Sequence, residues 1–143
     1  MNPYSSQAKL AAYRSVSAHG ALADTHPHAL VLTLLEATQE RMSAARACID
    51  QGDMRRKAGL LHSAVVLIAE LRGSLDLQRG GPLAENLSNL YEYMARRLMH
   101  ANLNSDATAV AEVLGLLAEV RGAWVAIGPE VRGQSSRSAM SAA

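Results

Sequence analysis

Between Leu60 and Asn104 the apolar positions recur at alternating steps of three and four. They run through Leu61, Ala64, Ile68, Leu71 and Leu75, and then through Leu83, Leu87, Leu90, Met94, Leu98 and Ala101. Steps that average the helical period place each set along one face of an α-helix. Gly80-Gly81-Pro82 separates the two sets. The glycines free the backbone where a helix must stop, and a proline suits the first position of the next helix because that position has no N–H bond to lose. The pattern predicts two helices folded back on each other at this tripeptide. Such a hairpin cannot bury its apolar stripe alone, so the rest of the chain must cover it.

The flanking segments supply the cover. Pro27 opens a helix over about 28–51 with Val31, Leu35, Thr38, Met42, Ala45 and Ile49 on one stripe, a spacing suited to bundle packing. Leu30, Leu34, Ala37, Ala44 and Cys48 form a second stripe on the same helix. Gly52 suits the residue just past that helix, and Asp53 suits the cap of the next. The next helix covers about 54–78 and begins with Arg55, Arg56 and Lys57. Cations oppose the dipole at a helix start, so these groups are expected to be solvated or paired. After a helix over about 82–103, Asn104-Ser105-Asp106 forms a second break. A last helix over about 107–127 carries Val110, Val113, Leu114, Leu117, Val120, Trp124 and Ile127, and Gly128-Pro129 is expected to end it. Trp124 is expected to pack near Leu30, Leu34 or the start of the first helix.

Four segments of about 30–36 Å at 1.5 Å per residue, joined by short turns, predict an antiparallel four-helix bundle. Residues 1–26 add a short docking helix around Leu10 and Tyr13, with few apolar anchors. Residues 129–143, rich in Ser, Ala and Gly, have little to bury and are expected to be a disordered tail. The fold class is therefore all-α. Glycines inside the predicted helices, at positions 59, 73, 115 and 122, imply close helix approach or local flexibility.

Composition narrows the function. The chain has 143 residues, 49% of them hydrophobic, with no Phe and one Trp, so it forms one domain with an aliphatic core. A net charge of +1 argues against nucleic acid as the main partner. One cysteine excludes an intrachain disulfide and fits the reducing cytosol. No apolar run reaches the ~20 residues of a membrane span, and the start has no signal-peptide pattern. The chain reads as cytosolic, without membrane insertion.

Catalytic chemistry is not legible. His26-Pro27-His28, His19, His62, His100 and Cys48 lack the helical spacings that would bring metal ligands together, and the histidines near the first helix start are expected to be exposed. There is no phosphate loop, nucleophile elbow or dinucleotide fingerprint. The acids Glu70, Asp76, Glu85 and Glu92 read as a solvated face. The expectation is no enzyme, metal or cofactor. Surplus apolar stripes instead favour a binding module that receives amphipathic helices. Arg96-Arg97 adds an exposed basic pair, and of Tyr91 and Tyr93 at most one is core.

One long match is more specific. Ile68, Glu70-Leu71, Ser74-Leu75-Asp76, Gly80-Gly81, Leu83-Ala84, Asn86-Leu87, Leu90-Tyr91, Tyr93-Met94, Arg96-Arg97-Leu98 and Ala101-Asn102 resemble the FliS family, flagellar secretion chaperones of flagellin. The resemblance spans about Leu10 to Ile127. It implies a cytosolic chaperone that binds the C-terminal segment of flagellin, prevents premature polymerisation and delivers it to the flagellar type III export apparatus. Its partners would then be flagellin and an export-gate component. The residues assigned to the flagellin-binding groove are Leu34, Leu35, Val66, Ile68, Leu71, Leu75, Tyr91, Met94, Leu98 and Leu117. The resemblance also implies that Leu10 and Tyr13 cap a groove or touch the export gate. The chain departs from the family at Leu34-Leu35-Glu36-Ala37, where many members have Leu-Tyr-Asp-Gly, and at Pro82, where an acid is common. Without the family, the same surface describes a structural or dimerising helical adaptor.

Overall fold

The computed structural model describes the backbone of residues 27–142 and the side chains of residues 27–127. The segment 1–26, with Leu10 and Tyr13, lies outside the described residues. Within them the chain forms α1 (Pro27–Gln51), α2 (Met54–Gly73), α3 (Leu77–Asn104) and α4 (Ala107–Ala142), with no strand. Helix α1 packs on α2 and α4, and α3 packs on the same two neighbours. Joints of two or three residues reverse the chain each time, so the four helices close a ring. This is the all-α four-helix bundle that the stripes predict.

The joints are made by local chemistry. Gly52 takes φ +76, and the Asp53 N–H donates to the Cys48 carbonyl at 2.9 Å, the closing bond of a glycine-terminated helix. Asp53 then caps α2 by accepting from the Arg56 N–H at 3.2 Å. Ser105 takes the left-handed position at the end of α3, with φ 49. The next residue, Asp106, donates its N–H to Ala101 O at 3.0 Å. Its side chain accepts from the Ala109 N–H at 3.2 Å and so caps α4.

The core is aliphatic. Leu35, Met42, Leu61, Ile68, Leu71, Met94, Leu98, Val110, Val113 and Leu117 are its large, fully buried side chains. Thr38 is buried among them, its hydroxyl donating to Leu34 O at 2.7 Å. Helices α1 and α4 are clasped at one end by His28 and Trp124, whose rings stack at 4.9 Å. Trp124 Nε1 donates to His28 O at 3.0 Å, and His28 Nε2 donates to Trp124 O at 2.8 Å. Trp124 thus packs at the start of the first helix, as expected. His28 does not behave as expected: it is 5% exposed, because the indole covers it.

The turn between the second and third helices lies earlier than the glycines suggest. Helix α2 ends at Gly73, not near residue 78. The reversal occupies residues 74–76, where Ser74 N–H donates to Glu70 O at 3.0 Å and Asp76 caps α3 by accepting from the Arg79 N–H at 3.0 Å. Ser and Asp compete well for backbone groups, so they stop and restart the helix before the glycines are reached. Leu75 consequently sits in the turn, half-buried. Gly80-Gly81-Pro82 becomes a kink inside α3, with Gly81 at φ 54 and ψ −136, a conformation open essentially to glycine alone. Helical phase restarts at Pro82. The buried face of α3 is therefore Ala84, Ser88, Tyr91, Met94, Leu98 and Ala101, while Leu83 is 77% exposed.

Two further expectations change. Close approach does not explain Gly59, Gly73, Gly115 or Gly122, since a Cβ at each would meet nothing within 4 Å. Helix α4 does not stop at Gly128-Pro129, where an end is expected, and its backbone runs on to Ala142. An internal proline removes one hydrogen bond and kinks a helix, but flanking turns can carry the helical path through it.

Candidate functional site

Most of the residues assigned to the flagellin-binding groove lie in the core of the free chain. Leu34, Leu35, Ile68, Leu71, Tyr91, Met94, Leu98 and Leu117 are all buried, where they hold the helices together. Val66 and Leu75 are half-buried. Burial pushes the Tyr91 phenol up to about 12. Leu35, where the family resemblance leads one to expect an aromatic, is wholly within the core. Helical spacing marks a stripe that is covered, and it does not say whether a helix of the same chain or a partner covers it.

An apolar cleft remains open between α2 and α3. It measures about 640 Å³ and is lined by Lys57, Ala58, Leu61, His62, Val65, Leu98, Met99, Asn102 and Leu103. Met99 is 61% exposed and Leu103 86%. These two sit one helical turn apart and project from the α3 rim. Met54 continues the apolar surface at the open end of the cleft, 40% exposed, with the Ser105 hydroxyl 3.0 Å from its sulfur. Solvent-facing aliphatic side chains beside an apolar floor are the usual preparation for an amphipathic helix.

Two cations brace the groove. Lys57 is 6% exposed and bridges from the first turn of α2 to the last turn of α3. Its Nζ donates to Asn102 O at 2.7 Å and Ser105 Oγ at 3.1 Å. The end carbonyls of a helix lack partners and carry partial negative charge, so a buried ammonium there is both hydrogen-bonded and compensated. Lys57 is paired with a neighbour, as expected, but not solvated. Farther along, Arg72 crosses from α2 to α3, donating to Ser88 Oγ at 2.9 Å and Glu92 Oε2 at 3.3 Å.

The opposite flank of α3 is closed to α4 by polar contacts. Glu112 accepts from the Tyr93 hydroxyl at 2.7 Å and Arg97 Nε at 2.8 Å. The Tyr93 bond, then the Arg97 bond, hold the Glu112 carboxyl below its ordinary value. The Ala109 N–H does the same for Asp106, with a smaller contribution from His100. Arg97 is therefore a structural partner of α4, and Arg96 is exposed. A second cleft, of about 540 Å³ and lined by Glu36, Gln39, Glu40, Ser43 and Arg121, is polar throughout, and its Arg121–Glu36 pair at 3.0 Å ties α4 to α1. Among the described residues no cluster of His, Cys, Asp or Glu is placed to hold a metal, and no helix is long and apolar enough to cross a membrane.

The signal for the groove was present in the sequence: Met99 and Leu103 are an i, i+4 apolar pair off the core stripe of α3.

Comparison with known proteins gives one answer throughout. The family model described as "Flagellar protein FliS" matches residues 9–131. A flagellar secretion chaperone FliS of Salmonella typhimurium is 41% identical over 127 residues, covering 88% of this chain and 94% of that protein. Flagellar secretion chaperone FliSB of Pseudomonas aeruginosa is 39% identical, covering 78% of this chain and 89% of its own. A FliS of Vibrio cholerae is 33% identical, covering 85% and 89%.

Proposed function

From a chain that belongs to the FliS family of flagellar secretion chaperones, we propose a client site: the α2/α3 groove takes the C-terminal segment of flagellin in the cytosol. The family is one of chaperones, and this chain is a chaperone and not an enzyme. The observation that carries the reading is the exposed Met99–Leu103 pair beside the apolar floor of Leu61, Val65 and Leu98. Covering two such side chains returns about 1.5–3 kcal/mol each by transfer from water. Together that is about 3–6 kcal/mol, so micromolar binding requires further contacts along the groove floor to offset the ordering of a flexible client. A segment held this way is unavailable for polymerisation and is delivered in a non-assembled state to the export apparatus, with an export-gate component as second partner.

Leu103→Asp tests the site. The side chain makes little contact with its own bundle, so stability should change by less than about 0.5 kcal/mol. Calorimetric titration of the flagellin C-terminal segment into the full chain should show a 1:1 complex that Leu103→Asp weakens at least about tenfold. Undiminished binding by the variant would place the client elsewhere.

A further inference from the structure

We propose that the groove reads charge as well as apolar surface, selecting amphipathic helices with acidic side chains on both shoulders, contacted by Arg55 from one rim and Arg96 from the other. The inference rests on the groove assignment above and adds the chemistry of its occupant. Arg55 lies three residues before Ala58 and seven before His62, and Arg96 lies three before Met99 and seven before Leu103. Residues at these spacings share a helical face, so the two guanidinium groups flank the groove on its outer sides. Both residues are exposed, and neither forms an ion pair or side-chain hydrogen bond with a described residue.

The charges around them are already engaged. Lys57 is spent on the end of α3. Glu92, which lies on the same side of α3, is held by Arg72. Asp53 is engaged as the cap of α2. The unanswered side-chain charges at the rims are therefore those of Arg55 and Arg96. The lined part of α2, Lys57 to Val65, spans about 12 Å, a little over two helical turns. An apolar floor of that length between two cationic rims fits a short helix whose apolar stripe is bordered on each side by Glu or Asp. A helix bordered by Lys or Arg would meet like charge at both edges.

The test uses two synthetic helices of about 18 residues, long enough to be helix-competent. They share one leucine-rich stripe and carry either glutamates or lysines on both shoulders. Anisotropy titrations with the full chain at low salt should show the glutamate peptide binding about tenfold more tightly. The difference should shrink as added salt shortens the screening length. In Arg55→Glu/Arg96→Glu the preference should reverse, and circular dichroism confirms that both exposed substitutions leave the bundle folded. Equal binding of the two peptides, with both lost in Leu103→Asp, overturns the charge reading while leaving the groove. A glutamate preference that survives the double substitution overturns it too, because the charge is then read elsewhere. If neither peptide binds and flagellin binding ignores Leu103→Asp, the groove itself falls and this inference with it.

Discussion

Lys57 gives the sharpest test of how the bundle end is held. In Lys57→Met the aliphatic stem remains and the ammonium disappears, together with its bonds to Asn102 O at 2.7 Å and Ser105 Oγ at 3.1 Å. Hydrogen bonds from a charged donor are worth about 1.5–3 kcal/mol each, so two represent about 3–6 kcal/mol. Against this, a cation that is only 6% exposed has lost several kcal/mol of hydration, some of it recovered when the charge is removed. The two opposing effects leave an expected loss of about 1–3 kcal/mol, because the Asn102 carbonyl at the helix end must then find water. In urea unfolding followed by helical circular dichroism, the midpoint should fall while the slope stays unchanged. Melting should drop by about 3–10 °C for a domain of this size. Lys57→Ala should cost about 1–2 kcal/mol more, since it also removes the packed stem. A Lys57→Met protein as stable as the parent would mean that hydration lost equals bonds gained, and that Lys57 does not brace the groove.

Further outcomes follow from other parts of the fold. Gly115→Ala and Gly122→Ala should each stabilise by up to about 1 kcal/mol, because helix propensity improves and the new methyl meets nothing within 4 Å; a destabilised double variant in urea would contradict this. Gly81→Ala should cost about 1–3 kcal/mol, since its φ of 54 and ψ of −136 suit no side chain; an unchanged unfolding midpoint would show that the kink relaxes. Trp124→Ala should cost about 2–4 kcal/mol through lost packing and the bond to His28 O, with flagellin binding retained; loss of binding in a stable variant would move Trp124 into the client site. The depressed carboxyls of Glu112 and Asp106 contribute stability that is present above the ordinary carboxylate range and lost as pH falls through their lower folded values. Acid titration of Glu112→Gln should therefore show a flatter pH dependence than the parent, and identical profiles would remove this pair as a source of acid sensitivity.

The helices were legible because two of the three joints are written locally. Gly52-Asp53 and Ser105-Asp106 each act on their own backbone, and each appears where expected. The Gly-Gly-Pro break is real, since Gly81 leaves the helical region and the helix restarts at Pro82, but the chain reverses sooner because Ser74 and Asp76 offer backbone partners a few residues before it. The stripe of Met94, Leu98 and Ala101 keeps its expected register. The groove was the least legible part, since stripes of Leu and Met mark surfaces to be covered without naming the cover. Buried polar residues were hidden for a different reason. Lys57 meets Asn102 across 45 residues, and no local pattern foretells that partner; Trp124 was expected at the start of α1, but not the paired hydrogen bonds across 96 residues that bury His28.

That last separation sets a clock. The ring of helices is completed only when Trp124 reaches His28, 96 residues later. At about 5–20 residues per second, roughly 5–20 s pass between synthesis of the first half of the clasp and synthesis of the second. Through that interval α1 has α2 on one side and nothing on the other, so its second apolar stripe faces water. Helix α3 likewise waits for α4 along its Tyr93–Arg97 flank. A chaperone of this family thus begins life with its own apolar stripes uncovered. Its own helical hairpins must remain apart from neighbours until the C-terminal helix docks.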